Sequence, residues 1–138
     1  MATPFQRDVL GLALAMEQGA KKTHHTVGEY LSERRDMSTG KITMVYACAL
    51  GAALVDDHDL EWAISTARIK GTRWALYDLY PELDHHSSIL DAVIYRNDSL
   101  GWTPAQIVAW LRHIAAQYPA GKPAEMPPYW PETDVQED

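Results

Sequence analysis

At 138 residues, 46% hydrophobic and 22% charged, the chain is long enough for one hydrophobic core and too short for two, so a single domain is expected. Its formal charge of -7 argues against a nucleic-acid partner, which needs a basic stripe to displace phosphate counterions, and the nearest features are the pairs Lys21-Lys22 and Arg34-Arg35. No apolar run approaches the roughly 20 residues of a membrane span, Arg7 and Asp8 interrupt the stretch where a signal peptide needs apolar residues, and one cysteine excludes an internal disulfide. A cytoplasmic protein is therefore expected, without membrane insertion.

In chain order, Thr3-Pro4 reads as N-cap and N1 of a first helix, with Phe5, Val9, Leu12, Ala13 and Met16 on its inner face. Gly19 and the two lysines after it are expected to close that helix. A second, shorter helix is predicted through HHTVGEYLSERR, with Val27, Tyr30 and Leu31 facing inward and Gly28 weakening it. DMSTGK reads as a turn, Ile42 to Tyr46 as a short extended entry, and Ala47 to Val55 as a buried helix. Gly51 costs that helix about 1 kcal/mol against alanine, and a close helix crossing is the expected compensation.

Asp57 or Asp59 is expected to cap DLEWAISTARIKG, whose inner stripe is Leu60, Ala63, Ile64 and Ala67, with Gly71 as the stop. RWALYDLY then runs to Pro81, and Ser88 to Asp91 resembles a capping box leading into Ile89, Leu90, Val93 and Ile94. The clearest local signal is Trp102-Thr103-Pro104-Ala105-Gln106-Ile107, a capping box with a hydrophobic staple, opening a helix that ends near Tyr118. From Pro119 onward the chain holds five of its eight prolines and a charge of -4, predicting an acidic Pro-rich tail over 119–138, disordered or docked.

The residues able to carry chemistry fall mainly in three clusters: His24-His25, Asp56-Asp57-His58-Asp59 and Asp84-His85-His86. Imidazole beside carboxylate is the material of a divalent metal site, whereas Asp and His at helix boundaries also serve as ordinary caps and polar surface. Cys48 sits among apolar neighbours, which points to a core thiol before a nucleophile. Asn97-Asp98 stands between two helices, where a side chain bonding its own backbone makes a turn. Tryptophans at 62, 74, 102, 110 and 130 are many for this length, and Trp62, Trp110 and Trp130 are candidates for a contact surface.

Two resemblances follow. His25, the doublet His58-Asp59 after an apolar helix and the distant Asp98 resemble, in order, the ligands of the all-helical phosphohydrolases named for their His-Asp doublet. That likeness implies a divalent metal ion held by His25, His58, Asp59 and Asp98, with Asp57 and Asp84 as catalytic residues and Asp56, His85 or His86 in support; Asp56, Asp57 and Leu60 depart from the pattern. Separately, Ala47-Cys48-Ala49-Leu50-Gly51-Ala52 and Asn97-Asp98-Ser99-Leu100-Gly101-Trp102 resemble a group of small uncharacterised bacterial proteins that share a Cys-Ala-Leu-Gly-Ala segment and a later Asn-Asp turn. This second resemblance marks Cys48, Gly51, Asn97 and Asp98 as positions to watch and implies no activity.

The fold expected is all-α, a compact bundle of five to seven helices over residues 1–118 with room for one short strand pair near 42–46. The function expected is a cytoplasmic binding or regulatory module without enzymatic activity or cofactor, acting through a protein partner or as a homodimer. The alternatives are the metal-dependent phosphohydrolase and a pocket for a small ligand between helices.

Overall fold

The computed structural model describes residues 1–86 and 88–121, and two caps legible in the sequence fix its two longest helices. Helix α1 spans Pro4–Ala20, where Gln6 N donates to Thr3 Oγ1 at 3.1 Å and Thr3 N donates to Gln6 Oε1 at 3.0 Å. Helix α7 spans Pro104–Gln117 and repeats the device with Thr103 and Gln106. Each box satisfies backbone donors that a helix start otherwise leaves orphaned. Trp102 and Ile107, the expected staple pair, are both buried.

The segment predicted as a second helix is instead two strands joined by a loop. Strands β1 (His24–His25), β2 (Leu31–Arg35) and β3 (Ile42–Ala47) form a sheet in the order β1-β3-β2. β1 runs parallel to β3, pairing His25 with Ala47, and β2 runs antiparallel to it, pairing Leu31 with Ala47 and Arg35 with Ile42. The all-α expectation is thereby corrected: among the described residues the fold has seven α-helices and a small three-stranded sheet.

The cause is the turn between β2 and β3, where Asp36 Oδ1 accepts from Ser38 N at 2.8 Å and Thr39 N at 3.0 Å and Gly40 takes φ +73°. Once that turn forms, Leu31 to Arg35 gains ladder hydrogen bonds from β3 that an isolated amphipathic stretch with a glycine cannot match. Helix α3 (Leu60–Ile69) is tied to β2 by ion pairs, Arg35 with Glu61 at 2.9 Å and Arg68 with Glu33 at 2.6 Å.

Helix α2 (Ala49–Val55) is buried at every position and packs on α1, which also carries α7 on another side. The sequence assigned Gly19 to a helix stop, but its place is the α1–α2 crossing: a Cβ there would lie 1.7 Å from the Ala52 carbonyl oxygen, and the helix continues to a right-handed cap at Lys21. Gly51 answers a different close approach, since a Cβ on it would lie 1.8 Å from the carbonyl oxygen of Tyr30, in the loop before β2.

Helix α4 (Thr72–Leu79) follows Gly71, and α5 (Glu82–His85) is anchored by Glu82 N donating to the buried Asp8 Oδ2 at 2.9 Å. Helix α6 (Ser88–Ile94) passes directly into one π-helical turn, Tyr95–Ser99. No helix among the described residues is long and apolar enough to cross a membrane. The tail expected from Pro119 lies outside the described residues after Gly121, and Trp130 with it.

Candidate functional site

The π-helical turn widens the end of α6 by a residue per turn and sends two neighbouring side chains to different places, a distortion that recurs at functional sites. Arg96 is directed into the helical core, 1% exposed, with its guanidinium carbon 4.0 Å from the centre of the Trp110 ring and 5.3 Å from that of Trp102. Trp110, placed on a contact surface by the sequence, is fully buried as one wall of this stack. Its position looked peripheral because the cation it covers lies fourteen residues earlier, beyond the reach of helical periodicity.

Asn97 turns toward the sheet and is also 1% exposed. Its Oδ1 accepts from Ala49 N at 3.0 Å and lies 2.8 Å from His25 Nε2; its Nδ2 donates to Thr26 O at 3.1 Å and to Asp98 Oδ1 at 2.8 Å. The Ala49 amide can only donate, so the carboxamide orientation is fixed, and His25 must carry its proton on Nε2. All four hydrogen-bonding capacities of the side chain are used. They join β1, the start of α2 and the π-helical turn at one point. Asp98 Oδ1 accepts a second bond, from Gly28 N at 3.1 Å, and Cys48 N donates to Tyr30 O at 3.1 Å.

These bonds surround a cavity of about 200 Å³. Leu50 of α2 and Val93 and Ile94 of α6 supply its apolar lining, Cys48 lines it beside them, and the 28–30 loop and the Asn97-Asp98 pair complete it. The Glu29 and Asp98 side chains are exposed, whereas Cys48 is 5% exposed. Burial pushes the Cys48 thiol up to about 11; the backbone N–H groups of Gly51 and Leu50 pull the other way, and the nearby Asp98 charge adds to the rise. At neutral pH the sulfur is a thiol, not a nucleophile.

Of the metal-ligand set, His25 and Asp98 both meet Asn97, the first accepted by its oxygen and the second by accepting from its nitrogen. His58 lies elsewhere, its ring 4.3 Å from that of Trp62 and its Nδ1 3.3 Å from Leu54 O, while Lys22 Nζ donates to its carbonyl. Asp57 and Asp59 are exposed in the turn after α2, and Asp84 and His85 are exposed on α5. His86 packs edge-on against Phe5. Among the described residues no three His, Cys, Asp or Glu side chains gather in a group able to hold a metal ion. Trp62 is 40% exposed, and Trp74, which the sequence did not single out, is 60% exposed.

The sequence marked Cys48, Asn97 and Asp98, but it placed Gly28 and Tyr30 in a helix and gave Glu29 no role, whereas all three complete the cavity. The one signal for that loop was Gly28, whose φ of +85° suits a turn and not the helix expected there. No family model, curated protein or solved structure matches the chain.

Proposed function

We propose that the protein is a small-ligand-binding module whose site is the cavity between the 28–30 loop, the start of α2 and the π-helical turn. The observation that supports this reading is Asn97: one buried carboxamide with every hydrogen bond satisfied braces the strand end, the helix start and the turn around a space that side chains leave open. A site held by such a network is preorganised, so a ligand does not have to order it on binding. An apolar floor with polar groups at its edge is the usual composition of a small-molecule pocket. The protonated thiol of Cys48 gives the site no nucleophile at neutral pH, which favours binding over catalysis.

The test is a fragment titration of the full chain followed by backbone amide shifts, with Ile94→Trp as the filling variant. Ile94 lines the cavity and is only partly buried, so the larger ring has room to enter without repacking the core. The expected result is a fragment that moves the amides of residues 28–30, 48–50 and 97–98 in the wild type and not in Ile94→Trp. Fragments that bind elsewhere, or equally to both proteins, would remove the reading.

A second reading rests on the face of α3 and α4. Ile69 is 85% exposed and Trp74 60%, an apolar area suited to a partner or a second copy of the chain. Sedimentation of wild type and Ile69→Asp separates the cases: self-association through this face is lost in the variant, and a monomer at high concentration in both ends the homodimer reading.

A further inference from the structure

We infer that the cavity takes a small organic cation, an ammonium group carried on a short aliphatic chain or a single ring; this rests on the cavity being the binding site. Among the described residues, the charged ones that line it are Glu29 and Asp98, with no lysine, arginine or histidine. Three backbone donors at its edge are already committed. Gly28 N is held by Asp98, Cys48 N by Tyr30 O and Ala49 N by Asn97. A phosphate or carboxylate entering here would meet like charge and find these donors taken, whereas a cation meets two acceptors.

Asp98 uses Oδ1 for both of its hydrogen bonds, leaving Oδ2 without one among the described residues. Glu29 accepts from Ser32 Oγ only through Oε2, at 3.4 Å. Below this mouth, Leu50, Val93 and Ile94 offer nothing to a hydrated metal ion and a good surface to a hydrocarbon. The size is also restrictive. A volume of about 200 Å³ matches about seven waters at ~30 Å³ each, below the ~300–1,000 Å³ of drug-sized pockets.

The experiment compares three probes of one shape on the full chain: benzylamine, benzyl alcohol and benzoate, titrated at low salt and followed by backbone amide shifts. Benzylamine is expected to bind at least about tenfold more tightly than the alcohol, to move the amides of Gly28, Cys48 and Asp98, and to weaken as salt is raised. Benzoate is expected not to bind. Asp98→Asn keeps an oxygen for Gly28 N and removes the charge, and should bring benzylamine to the level of the alcohol. Should that variant fail to fold, Glu29→Gln, at an exposed position, must still weaken benzylamine by about threefold while leaving the alcohol unchanged. Equal binding of amine and alcohol at the cavity would overturn the cation assignment and leave the cavity as a site. Shifts at the cavity from none of the three would overturn both.

Discussion

The two ends of helix α2 are held by opposite means. At its C-terminal half the backbone of Ala52 lies directly against α1, so close that the position opposite must be glycine, and neighbouring apolar residues such as Leu54 and Val55 are fully buried. At its N-terminal end, contact is made through hydrogen bonds that Ala49 N donates to Asn97 Oδ1 and Cys48 N to Tyr30 O, and space remains between the parts. Close packing is non-directional and tolerates no void; a polar brace fixes geometry at a distance and leaves a cavity beside it. One end builds the core, and the other builds a site from the same helix.

Alanine at the two glycines is expected to break this contrast most visibly. Gly19→Ala drives a methyl into the Ala52 carbonyl between two packed helices, neither of which yields cheaply, so a loss of about 3–4 kcal/mol or outright unfolding is expected. Gly51→Ala meets the Tyr30 carbonyl at nearly the same separation, 1.8 Å, but that carbonyl lies in the 28–30 loop and not between two packed helices, and shifting it costs mainly its bond from Cys48 N. Its cost is expected to be smaller, about 1–2 kcal/mol, with amide shifts concentrated at residues 28–30. Urea denaturation ranks the two, and equal losses would mean that the loop is as rigid as the helix crossing.

Asn97→Ala is next in size. It leaves Ala49 N–H and Thr26 O without their partner at a site where water reaches poorly, at an expected cost of about 2–3 kcal/mol. Faster hydrogen exchange at the Ala49 amide, with protection in α1 and α7 unchanged, would place the loss at the brace and not in the core.

The helical layer was legible in the sequence because its signals are local. Thr3 with Gln6, and Thr103 with Gln106, are three residues apart, and the Asp36 turn is complete within six residues. Of the sheet only β3 was legible, as the extended stretch Ile42 to Tyr46; β1 and β2 were not, because Val27, Tyr30 and Leu31 happen to fall at helical spacing and their pairing with β3 is not revealed by the periodicity of one stretch. Asn97 and Asp98 stood out as a turn, yet their role depends on His25, Thr26 and Ala49, between 48 and 72 residues away. The His and Asp clusters failed in the opposite way. Adjacency in the chain suggested a shared ion, but the turn after α2 carries His58 to Trp62 while β1 carries His25 to Asn97.

The sheet's attachment to α3 is a third kind of contact, made by charge, and pH should single it out. Burial alone would raise the Glu33 carboxyl, but hydrogen bonds from Arg68 and Arg35 outweigh it and hold the group below its ordinary value of 4.5. Glu61 is lowered as well, chiefly by its hydrogen bond from Arg35. A carboxyl depressed in the folded state stabilises the fold above its unfolded value, and that contribution drains away as pH falls through the folded one. Stability is therefore expected to decline below pH 4.5 in the wild type, and Glu33→Gln, costing about 1 kcal/mol at neutral pH, should flatten that decline. Parallel acid profiles for the two proteins would show that the pairing contributes nothing.

The smallest effect is a gain, at the end of α2 opposite the cavity. Asp56 has φ 44° and ψ −123°, the first central position of a tight turn in which His58 N donates to Val55 O at 2.8 Å. That conformation belongs to glycine, because a Cβ crowds the adjoining peptide. The cap is closed by the Asp56 backbone, whose N–H donates to Ala52 O, a bond that glycine keeps. Asp56→Gly relieves the strain while giving the unfolded chain more freedom, and the balance at a left-handed position still favours glycine, by about 0.5–1 kcal/mol. A rise in the denaturation midpoint with an unchanged slope is the expected reading. A fall would mean that the Asp56 carboxylate stabilises the turn by more than its backbone strain costs, and that this end of α2, too, is held by a polar contact.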